Sequence, residues 1–128
     1  MFKNTPAFSS FSVDDIQKAK DFYSHTLTLE VSEIMDSFLK LHIAGGNQIF
    51  VYSKEDHLPA TFTILNFPVD NIEQTMEELI KRNVHFEIYD QPGFKTDEHG
   101  ICHWDDTKMA SFKDPARNIL SILEEKTS

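Results

Sequence analysis

The chain has 128 residues, enough for one compact domain that buries roughly two-thirds of its extended surface. Lysine and arginine total 12 against 21 aspartates and glutamates, a formal net charge of -9, which disfavours nucleic acid and anionic membrane as partners. A single cysteine, Cys102, excludes an intrachain disulfide framework, and no run of eighteen apolar residues offers a spanning helix.

The N-terminal MFKNTPAFSSF lacks the continuous apolar stretch of a secretory signal, so a cytoplasmic location is expected. Within it FSSFSVDDI (8–16) begins with alternation, placing Ser9, Phe11 and Val13 on one face of a strand. After the acidic pair the period becomes helical. Asp14, followed by Gln17, reads as the N-cap of a capping box. Ile16, Ala19, Phe22, Tyr23 and Leu27 form the buried stripe of this first helix. Short strands are expected at about 28–35, 38–44 and 47–53, the last two joined by a tight reversal at Gly45-Gly46-Asn47. KEDHLPA (54–60) then links a first module (1–53) to a second (61–128) within one domain.

The second module echoes the first. An offset of 56 residues carries Phe11 to Phe67, Val13 to Val69 and Asp14 to Asp70, so ILNFPVDNI (64–72) repeats strand, acidic cap and helix start. Asp70 with Glu73 is the matching capping box, and Ile72, Thr75, Met76, Leu79 and Ile80 are the second buried stripe. Strands are expected at 84–89, 107–113 and 118–124, with a turn at 113–118 and a longer excursion at 90–106. The fold class is therefore α+β, two β-α-β-β-β modules whose curved mixed sheets each keep one face free of helix. Two such faces can enclose a central cavity.

FSVDDIQKAKDFYSHTLTLE (11–30), FPVDNIEQTMEELIKRNV (67–84) and SFKDPARNILSILE (111–124) resemble the vicinal-oxygen-chelate superfamily. It contains glyoxalase I, bleomycin-binding resistance proteins, fosfomycin-modifying enzymes and extradiol dioxygenases. The last motif departs from the usual DP-x-GN form, because Arg117 stands where glycine is common. Metal-dependent relatives use His, Gln or Glu ligands on four cavity-facing strands. By that resemblance the ligand positions fall on Phe8, Phe50, Ile64 and Ser121. Phenylalanine and isoleucine offer no lone pair, and one hydroxyl does not replace three missing ligands. A one-residue slip to Ser9, Leu65 or Leu120 restores no ligand set. No metal and no other cofactor is expected.

HGICHWDD (99–106) is the one stretch dense in metal-ligand types. In extended chain Cys102 and His103 point to opposite faces, and His99 and His103 share a face but stand about 13 Å apart at roughly 3.3 Å per residue. Only a curled loop would gather His99, His103 and Asp105, so polar groups at a cavity rim are the plainer reading.

The expected ligand-binding residues are Phe8, Ser10, Gln48, Phe50, Tyr52, Ile64, Asn66, Trp104 and Ser121, an aromatic, apolar lining with a few hydrogen-bonding groups. They suggest a metal-independent protein binding a small organic molecule, aromatic or cationic. The bleomycin-binding relatives imply a homodimer. One alternative is a metal-free lyase- or isomerase-like enzyme with His99 or His103 as general base, assisted by Tyr52 or Tyr89, or with Cys102 as nucleophile. Another is a non-catalytic dimerising domain with its cavity filled by its own aromatics.

Overall fold

The computed structural model describes residues 1–125, which fall into two compact units, Met1–Leu58 and the chain from Pro59 onward. The boundary lies inside the expected linker. Residues before it are tied back to the first unit: the Lys54 backbone N–H donates to the Val13 carbonyl, and His57 Nδ1 lies 2.6 Å from Ser12 Oγ.

In the first unit β1 (Ser9–Val13) leads to α1 (Ile16–Asp21), which continues as a π-helical turn, Phe22–Thr26. The Leu27 N–H donates to the Phe22 carbonyl across that wider turn. Then follow β2 (Glu30–Ile34), β3 (Phe38–His42) and β4 (Gln48–Ser53), close to the expected bounds. The sheet runs β1-β4-β3-β2, with β1 parallel to β4 and the other pairs antiparallel. Gly45 and Gly46 take φ of +95° and +88° at the β3–β4 reversal, a region open to glycine at no steric cost. Val13, Ala19, Tyr23, Leu39, Leu41 and Val51 form the buried core.

The second unit repeats the plan. It has β5 (Thr63–Pro68), α2 (Ile72–Lys81), a small hairpin of β6 (Asp90–Gln91) and β7 (Phe94–Lys95), then β8 (Ile101–Trp104), β9 (Thr107–Lys113) and β10 (Ile119–Glu125). Its main sheet runs β5-β10-β9-β8, again with one parallel pair at β5–β10. The repeat is visible in register: Ser10 pairs with Phe50, and Asn66, its counterpart 56 residues on, pairs with Ser121. Ile72, Met76, Leu79, Ile101, Phe112, Leu120 and Ile122 are core residues of this unit.

Several local expectations are corrected. The N-caps are Asp15 and Asn71, one residue later than expected, accepting from the Gln17 and Lys18 N–H groups and from the Gln74 N–H. Asp14-Asp15 and Asp70-Asn71 each hold two competent caps, and the backbone turns extended at the second. Glu73 does not close a capping box; it pairs with Lys108 at 2.9 Å, while Glu124 accepts from the Ile72 N–H. Ile80, expected in the buried stripe, is exposed, because the stripe runs through Ile72, Met76 and Leu79.

The segment 84–89 is not a sheet strand. Its backbone meets β9 at a single Phe86–Phe112 bridge and a Glu87 N–H donated to the Ser111 carbonyl, and the Glu87 carboxylate pairs with Lys113 at 3.3 Å. The fourth strand is instead β8, inside the excursion read as loop. Gly100 permits this, at φ +98°: a Cβ there would stand 3.1 Å from the Glu87 carbonyl oxygen and 3.3 Å from the Phe86 Cβ. The chain passes so close to 86–87 that a methyl there would press on them by a few tenths of an ångström, in a backbone conformation that side chains rarely adopt. Arg117 takes φ +68°, so the turn keeps the left-handed geometry usual for glycine while carrying an arginine. There the buried Asp114 carboxylate accepts from both the Asn118 backbone N–H and its side-chain amide.

Candidate functional site

Alternation fixes what each sheet presents away from its helix. In the first unit Val13, Leu39, Leu41 and Val51 are buried on the helix side, where Phe11 meets Tyr23 and Glu33 meets Lys20. The opposite face therefore carries Ser10 and Ser12 of β1, Gln48, Phe50 and Tyr52 of β4, Phe38, Lys40 and His42 of β3, and Ser32 of β2. Phe8, just before β1, adds its ring at 5.6 Å from that of Phe50, and Phe38 meets Phe50 edge-on at 6.0 Å. Five expected residues, Phe8, Ser10, Gln48, Phe50 and Tyr52, are thus brought to one surface.

Polar groups interrupt this aromatic surface. Lys40 Nζ lies 5.9 Å above the Phe50 ring. Ser32 Oγ is 2.7 Å from His42 Nε2, and Ser12 is bound to His57 as described. Sequence reasoning missed Phe38, Lys40, His42 and His57. The signal for three of them was present, since in FLKLH the burial of Leu39 and Leu41 sends Phe38, Lys40 and His42 to the other side.

In the second unit Asn66, Ser121, Ser111, Cys102 and Trp104 alternate with the helix-facing Leu65, Leu120, Phe112, Ile101 and His103. Ser121 Oγ donates to Asn66 Oδ1. Ile64 sits at a β-bulge and has no register partner, so strand alternation does not place it on this face. Trp104 is in the edge strand, its ring 5.6 Å from Phe94, which meets Tyr89 edge-on at 5.0 Å. Burial, helped by nearby Glu87, raises the Tyr89 hydroxyl above its ordinary pKa despite Lys113. Cys102 is buried, an environment that does not expose a nucleophilic thiolate.

HGICHWDD forms an edge strand and the following turn. His103 turns to the helix side, where Nε2 lies 3.0 Å from Asp97 Oδ2; Asp97 Oδ1 accepts from the His99 and Ile101 N–H groups. Desolvation pushes the Asp97 carboxyl up, but these hydrogen bonds together outweigh it and hold the group at about 2. His103, Asp105, Asp106, Lys108 and Glu124 line a pocket of about 310 Å³, whereas His99 lines another, beside Glu73, Met76, Glu77, Ile80 and Ile101. The structure does not gather His99 with His103 and Asp105.

A transition metal needs several nitrogen, oxygen or sulfur donors at close range. At the positions assigned by resemblance Phe8, Phe50 and Ile64 have none, and the Ser121 hydroxyl is engaged by Asn66. Among the described residues no group of three or more His, Cys, Asp or Glu could hold a metal ion. The donor set does not fit the metal of the family's metalloenzymes.

The sequence pattern of the Glyoxalase/Bleomycin resistance protein/Dioxygenase superfamily matches residues 8–122. The chain belongs to this superfamily. A comparison with curated proteins gives no match. Among solved structures, a protein assigned to the glyoxalase family of Bacillus anthracis is 19% identical with a TM-score of 0.69, covering 98% of this chain and 100% of its own. The antibiotic-binding protein TnmS3 from a Streptomyces species is 20% identical with a TM-score of 0.68, covering 96% and 98%. The fosfomycin resistance protein FosX from Listeria monocytogenes is 14% identical, also at 0.68, covering 94% and 92%. At these identities the likeness establishes the shared fold. No helix of the described residues is long and apolar enough to cross a membrane.

Proposed function

We propose that this superfamily member is a metal-independent binding protein for a small organic molecule. The observation that supports the reading is hydrocarbon at the ligand positions the resemblance assigns: the Phe8 and Phe50 rings meet at a tilt, their centroids 5.6 Å apart, and offer no lone pair to an ion. Aromatic planes flanked by a few fixed polar groups suit a flat, mostly apolar ligand held in orientation by hydrogen bonds. On the first unit the binding residues are Phe8, Ser10, Gln48, Phe50 and Tyr52; on the second, Ile64, Asn66, Ser121 and Trp104. TnmS3, an antibiotic-binding protein on the same fold, lends the class precedent.

The test is an amide NMR screen of small aromatic compounds with EDTA present throughout. Ligands are expected to shift the amides of Ser10, Phe50 and Tyr52. Phe50→Ala should weaken them tenfold or more while keeping a folded spectrum. Binding that appears only after a transition metal is added would overturn the reading.

A second reading, a metal-free enzyme, is favoured by one observation. Asp97 orients His103 at the rim of a pocket shared with Lys108, an arrangement suited to a general base. Its test is deuterium exchange into small ketones followed by NMR; exchange that survives His103→Gln unchanged rejects this role.

A further inference from the structure

From the Lys40–Phe50 arrangement we infer that the ligand is an aromatic anion, a planar ring system bearing a carboxylate or comparable group, with Lys40 as the residue that selects its charge. This rests on the binding reading above and narrows it.

The overall charge of -9 would favour a cation, but the local chemistry differs. Lys40 is half-buried, and its ammonium is over the Phe50 ring without a carboxylate partner among the described residues. Lys20, Lys54, Lys95, Lys108 and Lys113, by contrast, each pair with an acid. Glu33, in the neighbouring strand, is held by Lys20 on the helix side. Among the strand side chains of the aromatic face Glu30 alone is acidic, and it aligns with His42 at the end of the sheet rather than with Lys40.

A cationic ligand stacking on Phe50 would compete with Lys40 for the negative face of that ring and be repelled by it. An anion meets no such conflict. Its ring can stack among Phe8, Phe38 and Phe50, and its charge can accept a charge-assisted hydrogen bond from Lys40 Nζ. The aromatic contacts supply apolar area; the ammonium supplies the sign.

The experiment uses three matched probes, 2-naphthoate, 2-naphthamide and 2-naphthylmethylamine, titrated into the intact chain by NMR with EDTA present. The expected order is naphthoate about tenfold tighter than naphthamide, with the amine weakest, and shifts centred on Lys40, Phe50 and Ser10. Lys40→Met should bring the naphthoate-to-naphthamide ratio to about one, and Lys40→Arg should restore it. The preference should shrink as salt rises from low to molar concentration. Equal binding of all three probes, or a ratio that Lys40→Met leaves intact, overturns the charge assignment while the binding reading stands. Failure of every probe to bind overturns both.

Discussion

Replacing Asp97 by asparagine should destabilise the protein at neutral pH and cease to matter in acid. The amide side chain keeps the shape and one acceptor for the His99 and Ile101 N–H groups but loses the charge facing His103. It is thus a permanent mimic of the protonated acid. A carboxyl held at about 2 rather than 3.8 corresponds to about 2.4 kcal/mol at 1.36 kcal/mol per tenfold change. The side chain is 35% exposed, so solvent screening reduces this to about 1 kcal/mol. The sign follows from the lowered value: the stabilisation is present in full above the unfolded pKa and is lost as pH falls from about 4 through about 2. Urea unfolding of both proteins at intervals from pH 6 to pH 2 measures it. The difference should be near 1 kcal/mol at pH 6 and fall toward zero at pH 2. A difference that stays constant across that range would refute the assignment of the effect to the Asp97 charge.

Gly100→Ala should cost about 2–3 kcal/mol in chemical unfolding, because the added methyl meets the Glu87 carbonyl and the residue is left at positive φ. Arg117→Gly should act in the opposite direction, raising stability by about 0.5–1 kcal/mol by relieving a left-handed arginine. Asp114→Ala should cost about 3 kcal/mol, since it leaves the buried Asn118 backbone and side-chain donors without that acceptor; thermal unfolding checks it.

Much of the architecture was legible because two kinds of pattern agreed. The repeat at an offset of 56 residues placed β1 and β5, and the pairings Ser10–Phe50 and Asn66–Ser121 show that it reaches down to register. Period-two alternation likewise put Phe8, Ser10, Gln48, Phe50 and Tyr52 on one surface. Elsewhere local signals were degenerate. Two adjacent capping residues precede each helix, and only backbone geometry selects Asp15 and Asn71. The 84–89 segment alternates as a strand should, yet Phe86 alone bridges to β9, because the pass at Gly100 brings β8 onto the edge. Such a tertiary contact leaves no period in the chain. The Asp97–His103 pair was hidden similarly: Asp97 lies just outside HGICHWDD, and the Asp97–Gly100 turn folds it back beneath the histidine.

Ligand recognition as proposed for this chain proceeds without a resident transition metal. Native mass spectrometry of protein purified without chelator, then exposed to equimolar zinc, nickel, iron and manganese, tests it most directly. Metal-independent recognition predicts the polypeptide mass, alone or with an organic adduct, and no stoichiometric ion under either condition. One transition ion retained per chain would contradict it.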